Sequence, residues 1–215
     1  MKTGDNGLHM PATCFGLASL MLLSTVARSQ APLPELRIDA ITAGSVLFVR
    51  NTSQQPLVAY LIELVDYPGS SYSLWQDEIA SGEFIAPGVE KRIQITNMTV
   101  GAVPDYVKMR AAIYADGSTA GIPEKVALMT GRRRAQLDIA RELRKRIEAG
   151  DEILNWADSL KPEGKPNYSS AAWVNRTAQY SFVQSFRRKT PASVADVLAQ
   201  VRAAEMMLAA SKPAL

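Results

Sequence analysis

The sequence predicts an α+β chain in which an antiparallel β region is followed by three to four α-helices, and two pattern changes along its 215 residues predict it. Between Leu36 and about Asp116, short runs rich in Val, Ile, Tyr and Phe alternate with polar residues between turn clusters, the signature of half-buried strands. From Pro123 onward apolar residues recur every three or four positions and Ala, Leu, Arg, Glu and Met dominate, which is a helical pattern. An apolar content of 47% is that of an ordinary globular chain, so disorder and collagen-like repeats are excluded.

The chain opens with an export segment. No charged residue occurs between Asp5 and Arg28, and Phe15 to Val26 (FGLASLMLLSTV) is an apolar run of signal-peptide length behind Lys2 and the amino terminus. Small residues offer cleavage after Ala27 or after Ala31; the first is preferred because Pro32 follows the second. Residues 1–27 are therefore expected to be a signal peptide, which makes the protein periplasmic or secreted. The alternative is an inner-membrane anchor through residues 10–27, a charge-free stretch just long enough to span. Cys14 precedes the apolar run, so a lipidated cysteine is not expected.

Strands are expected at 36–41, 45–51, 57–66, 71–79, 90–97 and 105–115. By strand alternation Val58, Tyr60, Ile62 and Leu64 share one face, and Val107, Met109, Ala111 and Ile113 share another opposite Lys108 and Arg110. Asn51-Thr52-Ser53, Pro56, Pro87-Gly88 and Asp116-Gly117 are turn formers. Short antiparallel strands at this spacing predict an immunoglobulin-like β-sandwich over residues 32–117.

The helical region is expected over 122–215. Its first helix runs 123–149, with Pro123 at the favoured first position and Gly150 as C-terminal cap; Gly131 is a candidate kink, and Gln136, Ile139, Ala140, Leu143 and Ile147 form the inner stripe. A short helix over 151–160 stops at the Pro162–Pro166 loop. A third, over about 170–188, carries Val174, Ala178, Phe182 and Phe186 on one side and Trp173 and Tyr180 on another. Thr190-Pro191 is expected to cap the last, whose inner face holds Val194, Val197, Leu198, Val201 and Leu208.

Chemistry is limited by what is scarce. The single histidine and single cysteine, His9 and Cys14, both fall in the export segment. The mature chain then has no triad, no cysteine nucleophile and no His/Cys zinc site; no Ser-x-x-Lys, no phosphate loop and no calcium loop occurs, so no metal or cofactor is expected. Carboxylate chemistry remains, with Asp77-Glu78 and Asp151-Glu152 as the adjacent pairs. Four Asn-x-Ser/Thr sequons, at Asn51, Asn97, Asn167 and Asn175, read most simply as turn chemistry.

Two groups of residues are candidate binding sites. Tyr67, Tyr72 and Trp75 load one loop, Tyr67 to Trp75, with aromatic surface that could anchor a protein or stack on sugar. Arg132, Arg133, Arg134, Arg141, Arg144 and Lys145 form a basic run suited to a polyanion or anionic lipid. Spacings of three and four to Asp138, Glu142 and Glu148 also suit a solvated or domain-docking helix. The net charge of +3 is too small for a dedicated nucleic-acid binder.

The stretch Asn51-Thr52-Ser53-Gln54-Gln55-Pro56-Leu57, and the run Ala115-Asp116-Gly117-Ser118 leading into Pro123-Glu124-Lys125-Val126, resemble exported bacterial proteins of acidobacterial type, a group without assigned function. Over residues 35–145 the resemblance implies a small immunoglobulin-like sandwich joined to a helical tail, and it brings no catalytic residue. The expected function is that of an exported, non-catalytic binding or envelope-associated protein whose partner is an unknown protein or glycan of the cell envelope. The alternatives are a carboxylate-dependent hydrolase of extracellular polysaccharide and a protein held at anionic lipid by its basic helix.

Overall fold

A computed structural model describes residues 1, 31–42, 44–66, 70–79, 82–95, 106–188 and 193–215. The strands among them are β1 (Glu35–Ile41), β2 (Gly44–Arg50), β3 (Leu57–Asp66), β4 (Ser70–Asp77), β5 (Glu90–Ile95), β6 (Tyr106–Tyr114) and β7 (Thr119–Gly121). The helices α1 (Pro123–Ala149), α2 (Ile153–Ser159), α3 (Ala171–Arg188) and α4 (Val194–Ala209) follow. The chain is α+β, and all strand pairs are antiparallel, in the orders β1-β2-β5 and β4-β3-β6-β7. Apart from Met1, the expected signal segment 1–27 lies outside the described residues, as does Asn97. Among the described residues no helix is long and apolar enough to cross a membrane.

Leu47 and Val49 of β2 pack against Tyr60, Ile62 and Leu64 of β3 and Ala112 and Tyr114 of β6, so the two sheets meet across one core. The other face of the four-stranded sheet is also covered, because Ala59, Leu61, Ala111 and Ile113 pack on Met129 of α1. Burial on both faces is why β3 reads Leu-Val-Ala-Tyr-Leu-Ile without polar interruption.

Two expected faces are corrected by β-bulges. Leu57 pairs with Tyr114 and Ala59 with Ile113, leaving Val58 without an opposite residue; Leu61 pairs with Ala111 and Ile62 with Met109, leaving out Arg110. Each bulge reverses the alternation. Leu57, rather than Val58, joins Tyr60 in the inter-sheet core, while Val107 and Met109 face that core and Ala111 and Ile113 face α1.

The bulge at Arg110 also serves the junction with the helices. Its Nε donates to Glu63 at 2.7 Å, and Lys125 of α1 reaches the other oxygen of Glu63 at 2.5 Å. Burial alone would raise the Glu63 carboxyl, but the bonds from Lys125 and Arg110 outweigh it and hold the group below its ordinary range. The sheet runs past the expected boundary at 117, because β7 pairs with β6 and Ile122 alone separates it from α1. Gly121 has φ +97, and a Cβ there would lie 2.1 Å from the Arg110 carbonyl oxygen. Only glycine fits that crossing.

The helices pack around α1. Leu137, Ile139, Ala140 and Leu143 of α1 meet Ala157 of α2, Phe182 and Val183 of α3, and Val201, Ala204 and Leu208 of α4. Gly150 caps α1 as expected, with φ 77 and its N–H donated to Arg146 and Ile147 carbonyls. Gly131 does not break the helix: α1 is continuous over 27 residues, and Gly131 lies against Asn175 of α3. Thr190 and Pro191 lie outside the described residues, and the cap of α4 is Ser193, whose Oγ accepts from the Asp196 N–H at 3.2 Å. Val194, expected inside, is 70% exposed. Asn51 is buried, its amide donating to the Gln55 and Ile85 carbonyls, so its sequon is a turn device.

Three substitutions test this account by urea unfolding and melting. Gly121→Ala loses at least about 2 kcal/mol, from strain against the Arg110 carbonyl. Gly131→Ala gains about 0.5–1 kcal/mol, since its φ is not positive and the added methyl meets Asn175 at ordinary contact distance, 3.5 Å. Glu63, with its folded pKa depressed, stabilises fully above its unfolded value of roughly 4.3, and the benefit disappears as pH falls through the lower folded value. The melting temperature of Glu63→Gln therefore lies below that of the parent near pH 7, and the gap closes in acid.

Candidate functional site

Trp75 is on β4, at the strand parity shared by Ser73 and Asp77, and packs in the cluster between the sheet and α1. The aromatic segment is thus a strand from Ser70 onward rather than an exposed loop. Tyr72 sits on β4 at the opposite parity, across from Leu64, and Tyr67 lies outside the described residues.

α1 faces this part of the sheet with Lys125, Met129, Arg132 and Arg133, spaced by a helical turn or two. The Arg133 side chain is 0% exposed and that of Asp77 7%. Its Nε donates to Asp77 Oδ2 at 2.6 Å, Nη2 donates to Oδ1 at 2.9 Å, and Nη1 donates to the Lys212 carbonyl at 3.0 Å. Sheet, first helix and C-terminal segment are joined at one guanidinium. The fork geometry needs arginine, because lysine could not span both carboxylate oxygens and the carbonyl.

Arg132 has no such partner. Its guanidinium carbon lies 5.9 Å from the centre of the Trp75 ring, and among the described residues it makes no ion pair. Both oxygens of the nearby Asp77 are taken by Arg133. Burial first, and then repulsion from Arg133, push Arg132 below the usual arginine range, with Asp77 pulling the other way. Two cations share one carboxylate here, and its hydrogen bonds go to one of them.

The rest of the basic run points elsewhere. Arg144 pairs with Glu205 at 2.8 Å and with Glu148 at 3.0 Å, and Arg141 lies 3.6 Å from Glu205. Arg202 of α4 crosses back to Glu148 at 2.8 Å, and these bonds, Arg202 foremost, hold the Glu148 carboxyl below its ordinary value. Arg134 and Lys145 are exposed. The six basic residues therefore divide among the β4 junction, the α4 interface and solvent.

Asp77 and Glu78 share a cleft of about 440 Å³ with Gln136, Ser181 and Gln200, yet both are engaged by cations, Glu78 by Lys91 at 2.6 Å. Asp151 lies 3.4 Å from Arg146, and Glu152 accepts from Asn155 at 2.7 Å. The Tyr60 hydroxyl, buried and without a hydrogen-bond partner among the described residues, is raised by burial and then by Glu78, so it stays protonated. Among the described residues no cluster of His, Cys, Asp and Glu could hold a metal ion. An apolar cleft of about 340 Å³ opens at the far end of α1, lined by Leu143, Ile147, Val183 and Phe186. It can bury hydrocarbon, and its one carboxylate, Asp151, is the group already facing Arg146.

Family models, curated proteins and solved structures contain no match to this chain.

The structure brings together one member of each candidate group, Trp75 and Arg132. Sequence reasoning missed the Asp77–Arg133 pair beneath them. Its trace was an arginine standing in a helical stripe that otherwise reads Val126, Met129 and Ala140.

Arg133→Met, which strands a buried carboxylate, loses about 3–5 kcal/mol in urea unfolding, and adding Asp77→Leu restores most of it. Arg132→Gln leaves stability unchanged or slightly higher, since it removes a cation with no counter-ion.

Proposed function

We propose that this is an exported, non-catalytic binding protein of the bacterial cell envelope, an immunoglobulin-like sandwich carrying a docked helical region. The strand orders β1-β2-β5 and β4-β3-β6-β7 support the immunoglobulin-like part, with the fourth strand paired to the third as in variable-type sheets. The charge-free apolar run ahead of Arg28 supports export.

The observation that carries the binding reading is Arg132 beside Trp75. A part-buried cation that makes no ion pair among the described residues, set against an aromatic ring, is suited to recognising an anion, and the acid near it, Asp77, is held by Arg133. The carboxylates a hydrolase would need are held by Arg133, Lys91 and Arg146. The partner is a protein or glycan of the envelope.

Cell fractionation followed by intact-mass measurement tests the assignment. A soluble envelope species beginning at Arg28 or Pro32 is expected. A full-length species that a salt wash cannot release from membranes would overturn cleavage and leave the protein anchored by residues 10–27.

A further inference from the structure

We propose that the free edge of β4, together with Arg132, is a docking site for an extended acidic segment of a partner protein, which adds to the four-stranded sheet as a further strand. The inference rests on the binding-protein reading above and names the chemistry of the partner.

Among the described residues β4 pairs with β3 alone, so it is an edge of its sheet. Edge strands present unpaired backbone donors and acceptors, and proteins usually guard them with charge, proline or brevity. The other edges follow that rule. β1 carries Glu35, Arg37 and Asp39, β5 carries Glu90, Lys91 and Arg92, and β7 is only three residues long. β4 reads Ser-Ser-Tyr-Ser-Leu-Trp-Gln before its first charge at Asp77, with no proline. It is the one long unguarded edge among the described residues, suited to a main-chain partner.

Charge selects what that partner carries. Side chains on an added strand alternate between the two faces of the sheet, so every second one projects to the α1 side. Ser73 and Trp75 hold such positions on β4, and the small Ser73 side chain leaves room beside the ring. The cation waiting there is Arg132, over Trp75, with the nearest carboxylate spent on Arg133. An acidic side chain at this level would supply the missing counter-charge, in a partly desolvated setting where a charge-assisted bond counts for more than at an open surface.

The test uses the full mature chain and three fluorescein-labelled synthetic octapeptides of alternating Val and Thr. One has a central Glu, one a Gln in its place, and one keeps the Glu but has Pro on either side. Fluorescence anisotropy should show binding of the Glu peptide, at least about tenfold weaker binding of the Gln peptide, and none of the Pro-flanked peptide, which cannot form a strand. Arg132→Gln, checked for folding by circular dichroism, should weaken the Glu peptide at least about tenfold and leave the Gln peptide unchanged. The Glu–Gln comparison on the unaltered protein stands even if that variant misfolds. Equal binding of the Pro-flanked peptide, equal binding of Glu and Gln peptides, or no binding of any would overturn the proposal. Capture of an oligouronate in place of the peptides would overturn it in favour of an acidic glycan. None of these failures bears on export, which the mass measurement decides separately.

Discussion

The architecture depends on the ion pair between Arg133 and Asp77. A fully buried guanidinium is tolerable only if each donor direction finds an acceptor, and here two go to the carboxylate and a third to the Lys212 carbonyl. Such a pair adds little net stability compared with a well-packed apolar substitute, but leaving either partner alone is very costly. It therefore acts chiefly as a locator. Of the ways α1 could lie on the outer face of the sheet, the one that satisfies Asp77 sets both the height and the rotation of the helix.

Once α1 is placed, other features follow from its two halves. The first half covers the sheet through Met129 and Val126 and reaches Glu63 with Lys125. The second half is the centre of the helical core, and crossed pairs among Arg144, Glu148, Arg202 and Glu205 tie it to α4. The dense positive charge of this helix is thus mostly internal bookkeeping between elements. Arg134 and Lys145 face solvent, and Arg132 is the part-buried exception, because the residue that satisfies its neighbour cannot also satisfy it.

The large elements were legible in the sequence because they rest on local physics. Alternation located six strands, and Pro123 and Gly150 bracketed α1 to the residue. What stayed hidden depends on contacts between distant residues. The bulges at Val58 and Arg110 leave no mark on composition, yet each reverses the faces of its strand. β7 is three residues long, too short for a pattern, and exists because Gly121 lets the chain cross the Arg110 carbonyl. The aromatic and basic groups could be found separately, whereas the meeting of Trp75 with Arg132 required the helix to be docked on the sheet.

The Lys212 carbonyl at the junction has a consequence for biogenesis. Arg133 lies 56 residues after Asp77, and Lys212 a further 79 after Arg133. A ribosome delivers the seven described strands long before it delivers the residue that completes the guanidinium's bonds. A nascent chain can pair its strands, but it cannot close the junction until residue 212 has emerged. Throughout elongation the chain therefore lacks the last of the three bonds that lock sheet, helix and C-terminal segment together, and that lock closes only as synthesis ends.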